Sequence, residues 1–179
     1  MSSRPRILAF SGSARADSSN EKLIRHIKSA WADHLDIEVY PTVAYLPLFT
    51  PDRDGDQVPA LINLLRRQIA DADGILICTP EYVFSPPAAI KNLLEWTVST
   101  TVLTGKPTAL IVAATGGAQT FASLTLILKT LGCHLTPDTS LLISGIRPKI
   151  SPEGALRDET VTLQIEACMT ALAGLVRRS

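Results

Sequence analysis

The chain has 179 residues, of which 46% are hydrophobic and 19% are charged, a composition that suits one compact domain over residues 1–179. The 17 basic and 17 acidic residues cancel to a formal net charge of zero, and no long run of like charge occurs, so the sequence predicts no surface for nucleic acid or for a membrane. We therefore expect a small-molecule partner.

The N-terminal segment and the cysteines narrow the class of protein further. The first apolar run, residues 7–10, is too short for a signal-peptide core or a membrane span, and we expect a cytoplasmic protein. Cys78, Cys133 and Cys168 are odd in number and lie among apolar neighbours, which favours buried thiols over a disulfide framework. The histidines lack metal-ligand spacing with Cys, Asp or Glu, so no metal site is predicted.

Five short apolar runs alternate with longer segments of helical periodicity. They are residues 7–10, 37–40, 75–78, 109–113 and 141–143. Because each run is continuously apolar, the runs are typical of strands covered on both faces. The alternation predicts an α/β fold, a doubly wound five-stranded parallel sheet with helices on both faces.

Apolar residues spaced close to 3.6 positions apart predict the helices. Their stripes run from Leu23 to Leu35, from Leu61 to Ile69, from Ala89 to Thr97 and from Phe121 to Leu131, and a last helix is predicted over 153–177. The segment 47–59 is rich in Pro and Asp and is predicted to be a long surface loop, a type of segment that is often functional.

Three loops leave the carboxyl ends of the predicted strands, at residues 11–20, 79–86 and 114–119. In doubly wound sheets, ligands bind beyond these ends, near the point where the strand order reverses. Each loop is rich in Gly, Ser, Thr, Pro or aromatic residues. A single ligand that touches all three would place a phosphate at the first loop and a flat or polar body at the other two.

The first loop, SGSARADSSN, has the composition of a phosphate site. It joins an apolar strand to a helix whose first backbone N–H groups are unpaired and carry partial positive charge, and Gly and Ser let an anion approach them closely. Arg15 would add a planar, charged clamp. The alternative is an ordinary turn in which Ser18, Ser19 or Asn20 only caps the helix.

Several classes of phosphate-binding protein do not fit this loop. A dinucleotide-binding fingerprint needs three glycines in the spacing GxGxxG, whereas Gly12 stands alone. The Gly105-Lys106 pair is followed by Pro107, outside the context of a Walker loop. A cysteine-dependent phosphatase would have Cys at the end of the first strand, where this chain has Ser11.

Two blocks of sequence together resemble the NAD(P)H-dependent FMN reductase family, which has a flavodoxin-like fold. GSARADSSN is similar to the family's phosphate loop, GSxRxxSxN, and TPEYVFSPPAAIKNLLEW is similar to its flavin-ring loop, PEYN, and the helix that follows. The segments YLPLF and ADADGILICTPEY and the pair Gly116-Gly117 also match. The resemblance spans residues 6–145.

This resemblance implies that FMN is the cofactor and that residues of the three loops bind it. The phosphate would be held by Ser13, Arg15, Ser18 and Asn20, with Gly12 allowing close approach of the backbone. The isoalloxazine ring would be lined by Pro80, Glu81, Tyr82, Val83 and Phe84, and closed in on its other side by Thr115, Gly116 and Gly117. Tyr82 is the candidate aromatic contact.

The resemblance also implies an enzyme, an FMN-dependent NAD(P)H oxidoreductase with ping-pong kinetics. Hydride would pass from NADPH or NADH to FMN, and electrons would then pass to a small acceptor such as a flavin, a quinone, an azo compound or an oxidised metal. No protein residue is expected to be catalytic. The family's dimer interface implies a homodimer or homotetramer, with Phe84 and Trp96 as candidate contacts across the two-fold axis, or Trp96 in the core instead.

The chain departs from the family pattern beside the ring loop. Val83 and Phe84 stand where the family usually has Asn-Gly, and Ala88 stands where it has the Gly of a Pro-Gly pair. We expect a more apolar and crowded flavin face, which affects the choice of substrate more than FMN binding. Two alternatives to a reductase remain, a flavodoxin-like electron carrier and a flavin-free regulatory module of the same fold.

Overall fold

Five strands form one parallel sheet in the computed structural model, which describes residues 4–15, 17–41 and 43–178. They are β1 (Arg6–Ser11), β2 (Asp36–Val39), β3 (Gly74–Thr79), β4 (Thr108–Ala114) and β5 (Ser140–Ser144). Their order is β2-β1-β3-β4-β5, and every neighbouring pair is parallel. The predicted fold class and all five strands are confirmed, and the strand order reverses between β1 and β3.

Helices connect the strands as the periodicity predicts. They are α1 (Ser19–Ala30), α2 (Ala60–Asp71), α3 (Ala88–Glu95), α4 (Ala118–Thr130), α5 (Ile146–Lys149) and α6 (Glu159–Val176), with 3-10 turns at Val43–Tyr45, Pro51–Arg53 and Pro137–Thr139. The short helix α5 follows β5 directly and was not predicted. It proves relevant because it borders the candidate site.

The last helix starts six residues later than the periodicity predicts. Asp158 is its N-cap, and its Oδ1 accepts a hydrogen bond from the backbone N–H of Val161 at 3.1 Å. The preceding residues fold back on themselves instead, with a β-bridge between Ile150 and Leu156 and a left-handed backbone at Gly154. Asp is a preferred N-cap residue, and its cap outweighs the apolar spacing of the preceding residues. The prediction of a helix that begins at residue 153 is therefore wrong.

Alternate residues of the central strands enter two separate apolar layers. On β1, Ile7 and Ala9 pack on the side covered by α1 and α6, whereas Leu8 and Phe10 pack on the side covered by α2, α3 and α4. The three cysteines are free and buried, as predicted. The sheet is thus covered on both faces, and its carboxyl edge is left to carry ligands.

The segment 47–59, which the sequence predicts to be a surface loop, is hydrogen-bonded to α3 and to the residue that caps it. The side chain of Asn92 accepts a hydrogen bond from the N–H of Phe49 at 2.8 Å and donates one to the carbonyl of Pro47 at 3.0 Å. The indole N–H of Trp96 donates to the same carbonyl at 2.7 Å, and its ring packs edge-on against Phe49. Trp96 is fully buried, so it belongs to the core and is not a contact across a two-fold axis.

Lys91, beside Asn92, forms an ion pair with Glu95 one helical turn later.

Within the described ranges, no helix has both the length and the apolar character needed to cross a membrane. The predicted absence of a signal peptide falls partly on residues 1–3, which lie outside the described residues.

Candidate functional site

An open cleft with a cavity volume of about 130 Å³ lies at the carboxyl ends of β1, β3 and β4. Eight of the thirteen residues predicted to bind the cofactor line it together: Ser13, Arg15, Ser18, Asn20, Pro80, Glu81, Tyr82 and Thr115. The other five are not among its lining residues: Gly12, Val83, Phe84, Gly116 and Gly117. Three segments far apart in the chain therefore meet at one place, at the reversal of strand order.

The start of α1 forms one end of the cleft and carries the unpaired backbone N–H groups of a helix N-terminus. Ser18 is the N-cap, and its hydroxyl accepts a hydrogen bond from the backbone N–H of Glu21 at 3.2 Å. The carboxylate of Glu21 in turn accepts from the backbone N–H of Asp17 at 2.8 Å. These bonds fix the first turn of α1, whose remaining N–H groups favour an anion. The capping role that the sequence left open falls to Ser18.

Arg15 is the cation available at this end. Its side chain is exposed and forms no ion pair or hydrogen bond with any part of the chain that the structure describes. The neighbouring acid, Asp17, pairs instead with Lys22 at 3.1 Å and Arg25 at 2.8 Å. Hydrogen bonds from those two side chains hold the pKa of Asp17 below its ordinary value. The guanidinium of Arg15 is thus left for a ligand.

Asn20 lies in the cleft wall, but its side chain bonds within the protein. The amide Nδ2 donates to the carbonyl of Ala113 at 3.0 Å, and the thiol of Cys78 donates to Oδ1 at 3.3 Å. Burial raises the pKa of the Cys78 thiol, which keeps it protonated and able to donate. What Asn20 can offer a phosphate is therefore its backbone N–H in the first turn of α1.

Gly12 is required by packing beneath the loop. A Cβ at this position would lie 1.9 Å from Oγ1 of Thr79 and 3.0 Å from the side chain of Ile90. Its backbone N–H donates to the carbonyl of Cys78 at 2.9 Å, which continues the pairing of β1 with β3. No larger residue fits there, whatever binds above.

The ring loop contains a tight two-residue turn. The backbone groups of Tyr82 and Ser85 exchange two hydrogen bonds, each of 3.0 Å. Val83 and Phe84 between them have positive φ angles of 51° and 55°, and both side chains are exposed. Tyr82 is half-exposed and lines the cleft.

Glu81 joins the ring loop to the start of α4. Its Oε2 accepts from the N–H of Thr120 at 2.9 Å and its Oε1 from the N–H of Gly117 at 3.0 Å. These backbone bonds, the one from Thr120 first, hold the pKa of Glu81 below its ordinary value. Gly117 has a φ of 101°, and a Cβ there would lie 2.7 Å from the side chain of Leu142.

The loop of residues 114–119, called the Gly-rich loop because it contains Gly116 and Gly117, is also hydrogen-bonded to the end of β5 and the residue after it. The hydroxyl of Ser144 donates to the carbonyl of Gly116 at 2.8 Å, and the N–H of Gly145 donates to the carbonyl of Thr115 at 3.2 Å. The loop is therefore held from the ring loop on one side and from β5 on the other.

Sequence reasoning missed Arg147, which lies in α5 and lines the same cleft. Its side chain is exposed and has no ion pair with the described residues. The signal was available, because the loop after β5 leaves the same edge of the sheet as the three loops that were considered. Among the residues that the structure covers, no group of three His, Cys, Asp or Glu could hold a metal ion.

Comparison with known proteins shows the family of the chain. Residues 5–147 match the model of a family described as NADPH-dependent FMN reductase. A protein of Escherichia coli strain K12 named quinone reductase is 27% identical over 185 residues, which cover 99% of this chain and 98% of that protein. A Burkholderia protein named 2-hydroxy-1,4-benzoquinone reductase is 32% identical, with 96% of each chain covered.

The same relationship holds in three dimensions. The structure of FerB, a flavoenzyme NAD(P)H:(acceptor) oxidoreductase from Paracoccus denitrificans, superposes with a TM-score of 0.83 at 25% identity and covers 97% of this chain and 98% of that one. The chain therefore belongs to the NADPH-dependent FMN reductase family, and it is a flavin-dependent NAD(P)H oxidoreductase whose cofactor is FMN.

Proposed function

We propose that this protein is a quinone reductase that binds FMN in the cleft at the carboxyl edge of the sheet. The overall reaction converts NAD(P)H, a proton and a quinone into NAD(P)⁺ and a hydroquinone, so two electrons and two hydrogens reach the acceptor. The observation that carries the proposal is the meeting of Arg15, the start of α1 and the ring loop around one cleft.

The residues at the α1 end fit the phosphate of FMN. A phosphate needs a cation and hydrogen-bond donors, and both are present in Arg15 and in the first-turn N–H groups of α1. The nearest acid on the loop, Asp17, is neutralised by its two basic partners and does not oppose an anion. Ser13 lies beside Arg15, where its hydroxyl accepts from the N–H of Arg15 at 3.3 Å.

The opposite end fits a flat ring with a polar edge. Tyr82 supplies an aromatic surface, and the backbone N–H groups of Val83 and Phe84 are not used by the turn, because its two hydrogen bonds join Tyr82 and Ser85. Pro80 and Thr115 line the space between the two loops. When bound, FMN supplies the hydride-accepting and electron-donating chemistry.

The protein's own part is to bind and orient. Glu81 is the acid that lines the cleft, and both of its oxygens accept backbone hydrogen bonds while its pKa is lowered, so it stays a carboxylate and does not donate a proton. Arg15 and Arg147 bring hydrogen-bond donors and positive charge to the cleft. Positioning of the ring and of the two substrates, rather than acid–base catalysis, is what these residues provide.

The acceptor class and the assembly complete the proposal. Quinones are proposed because two similar proteins are named for quinone reduction. A homodimer or homotetramer is proposed because Leu48 and Val98, on segments that flank α3, expose 74% and 60% of their surface. We also propose that the protein acts in the cytoplasm, where NADPH and NADH are available.

A titration under anaerobic conditions tests the reaction. We expect the purified protein to bind FMN, its visible absorbance to be bleached by NADPH or NADH, and the colour to return on addition of a benzoquinone. A protein that binds FMN but is not bleached by either nucleotide is an electron carrier, and one that binds no FMN is a flavin-free module. Either result would overturn the proposal.

A substitution tests the site. Arg15→Ala should weaken the binding of FMN about tenfold or more and leave that of riboflavin nearly unchanged, because only FMN carries the phosphate. Lys28→Ala, an exposed cation in the last turn of the same helix, is the matched control. Equal losses for FMN and riboflavin would place the phosphate elsewhere.

A further inference from the structure

Most residues with a left-handed backbone in the described chain are glycines. Eight described residues have a φ between 51° and 101°. Five are glycines and one is Asp17, a residue type that tolerates this conformation. The other two are Val83 and Phe84, and a β-branched residue is among the least suited to it.

We infer that Val83 and Phe84 form a rigid apolar tip that selects the electron acceptor by contacting its hydrocarbon part. The inference rests on the proposed function and concerns the same site. It names the acceptor class more closely, as a flat quinone that carries alkyl substituents or fused rings.

The geometry of the turn explains why these residues are unexpected. Two hydrogen bonds between Tyr82 and Ser85 enclose two left-handed residues, which defines a type I′ turn. Such turns strongly prefer Asn-Gly, because both central residues need a positive φ. Val83 and Phe84 therefore strain the backbone at both central positions.

Neighbouring contacts prevent the turn from relaxing. On its N-terminal side, Glu81 is bound to two backbone N–H groups of the α4 start. On its C-terminal side, Pro86 and Pro87 fix the backbone and restrict the residues before them. The tip is consequently held in one conformation before any ligand arrives.

Packing against the described residues does not offset the strain. Val83 is 94% exposed and Phe84 is 79% exposed, so neither side chain contributes packing to the fold. Exposed apolar surface and a strained backbone both disfavour these two residues where they stand. A contact outside the chain is the remaining physical reason for them, as strain held at a functional site implies.

The position of the tip identifies the partner as the acceptor. The tip follows directly after Tyr82, which lines the cleft, although Val83 and Phe84 are not among the cleft-lining residues themselves. The cations that border the cleft, Arg15 and Arg147, belong to other segments, and the tip itself carries no charge. A hydrocarbon-bearing ring suits an uncharged apolar tip next to Tyr82, whereas a small, strongly hydrated acceptor gains nothing from it.

The double substitution V83N/F84G tests the inference in two independent ways. Asn-Gly suits the turn, so the thermal midpoint of the apo protein should rise by roughly 3–6 °C. The ratio of kcat/KM for a methylnaphthoquinone to kcat/KM for ferricyanide should fall about tenfold, the amount that a lost apolar contact typically costs. Leu126→Gln, at an exposed apolar residue of α4, should change neither quantity.

Several results would overturn the inference. A lower thermal midpoint would show that the turn is not strained, and an unchanged ratio of the two acceptors would show that the tip does not select between them. A change in oligomeric mass on sedimentation, with the acceptor ratio unchanged, would assign the tip to a second copy of the chain. If the unsubstituted protein binds FMN and is bleached by NADPH, any of these outcomes rejects the role of Val83 and Phe84 in selecting the acceptor. The proposed function would remain intact.

Discussion

The carboxylate of Glu81 and the backbone of Thr120 are joined across 39 positions of sequence by a hydrogen bond of 2.9 Å. α4 has no side-chain cap of its own, because its N-cap is Gly117. Glu81 takes that role from another loop and places a negative charge at the positive end of the helix. The ring loop and the Gly-rich loop are thereby connected into one unit.

Glu81→Gln should lower stability by about 1 kcal/mol, because it removes the charge at the α4 start and one of two acceptors. FMN should bind more weakly as well, since the two loops that face the ring are no longer held together. Urea denaturation and flavin fluorescence titration measure the two effects. Glu95→Gln, which breaks the surface ion pair with Lys91, should change neither by much.

The lowered pKa of Glu81 predicts a pH dependence with a definite sign. The folded state holds the carboxylate, so its stabilisation is present above the ordinary pKa of 4.5 and is lost as the pH falls through the lower pKa of the folded state. The stability difference between the native protein and Glu81→Gln should therefore be largest at neutral pH and shrink below pH 4.5. A difference that grew on acidification would contradict this assignment.

Ser18→Ala should destabilise the protein by about 1 kcal/mol through loss of the α1 N-cap. Ser19→Ala is a matched control at the first helical position, where the hydroxyl makes no such bond with the described residues. Chemical denaturation with and without FMN separates the two contributions. The cap loss should appear in both conditions, and any additional loss with FMN measures the role of Ser18 in holding the ligand.

Asn92→Ala should destabilise by about 2 kcal/mol, because it removes the buried side chain that accepts from the N–H of Phe49, whereas the carbonyl of Pro47 keeps its bond from the indole N–H of Trp96. Amide hydrogen exchange should show faster exchange at Phe49 in particular. Asn63→Ala removes a single exposed bond, to the carbonyl of Val58, and should cost far less. Equal effects for the two variants would mean that the loop is held by other contacts.

The sequence predicted those features that depend on local pattern. Continuous apolar runs located every strand, and the loop compositions located the cleft, because the topology of a parallel sheet brings carboxyl ends together. The function of Glu81 was not predictable, since its partners at Gly117 and Thr120 lie 36 and 39 positions away. Likewise, Asn20 fits a phosphate motif, yet its amide contacts two strands, which only packing reveals.

The attachment of Asn20 to the interior of the sheet has a consequence for cofactor loading. Its amide spans β3 and β4, so the start of α1 is anchored to the interior of the sheet. An apo form should accordingly keep its anion pocket assembled, and FMN should associate without a slow folding phase. Stopped-flow mixing would then show one concentration-dependent step, with little entropy lost to ordering the receptor.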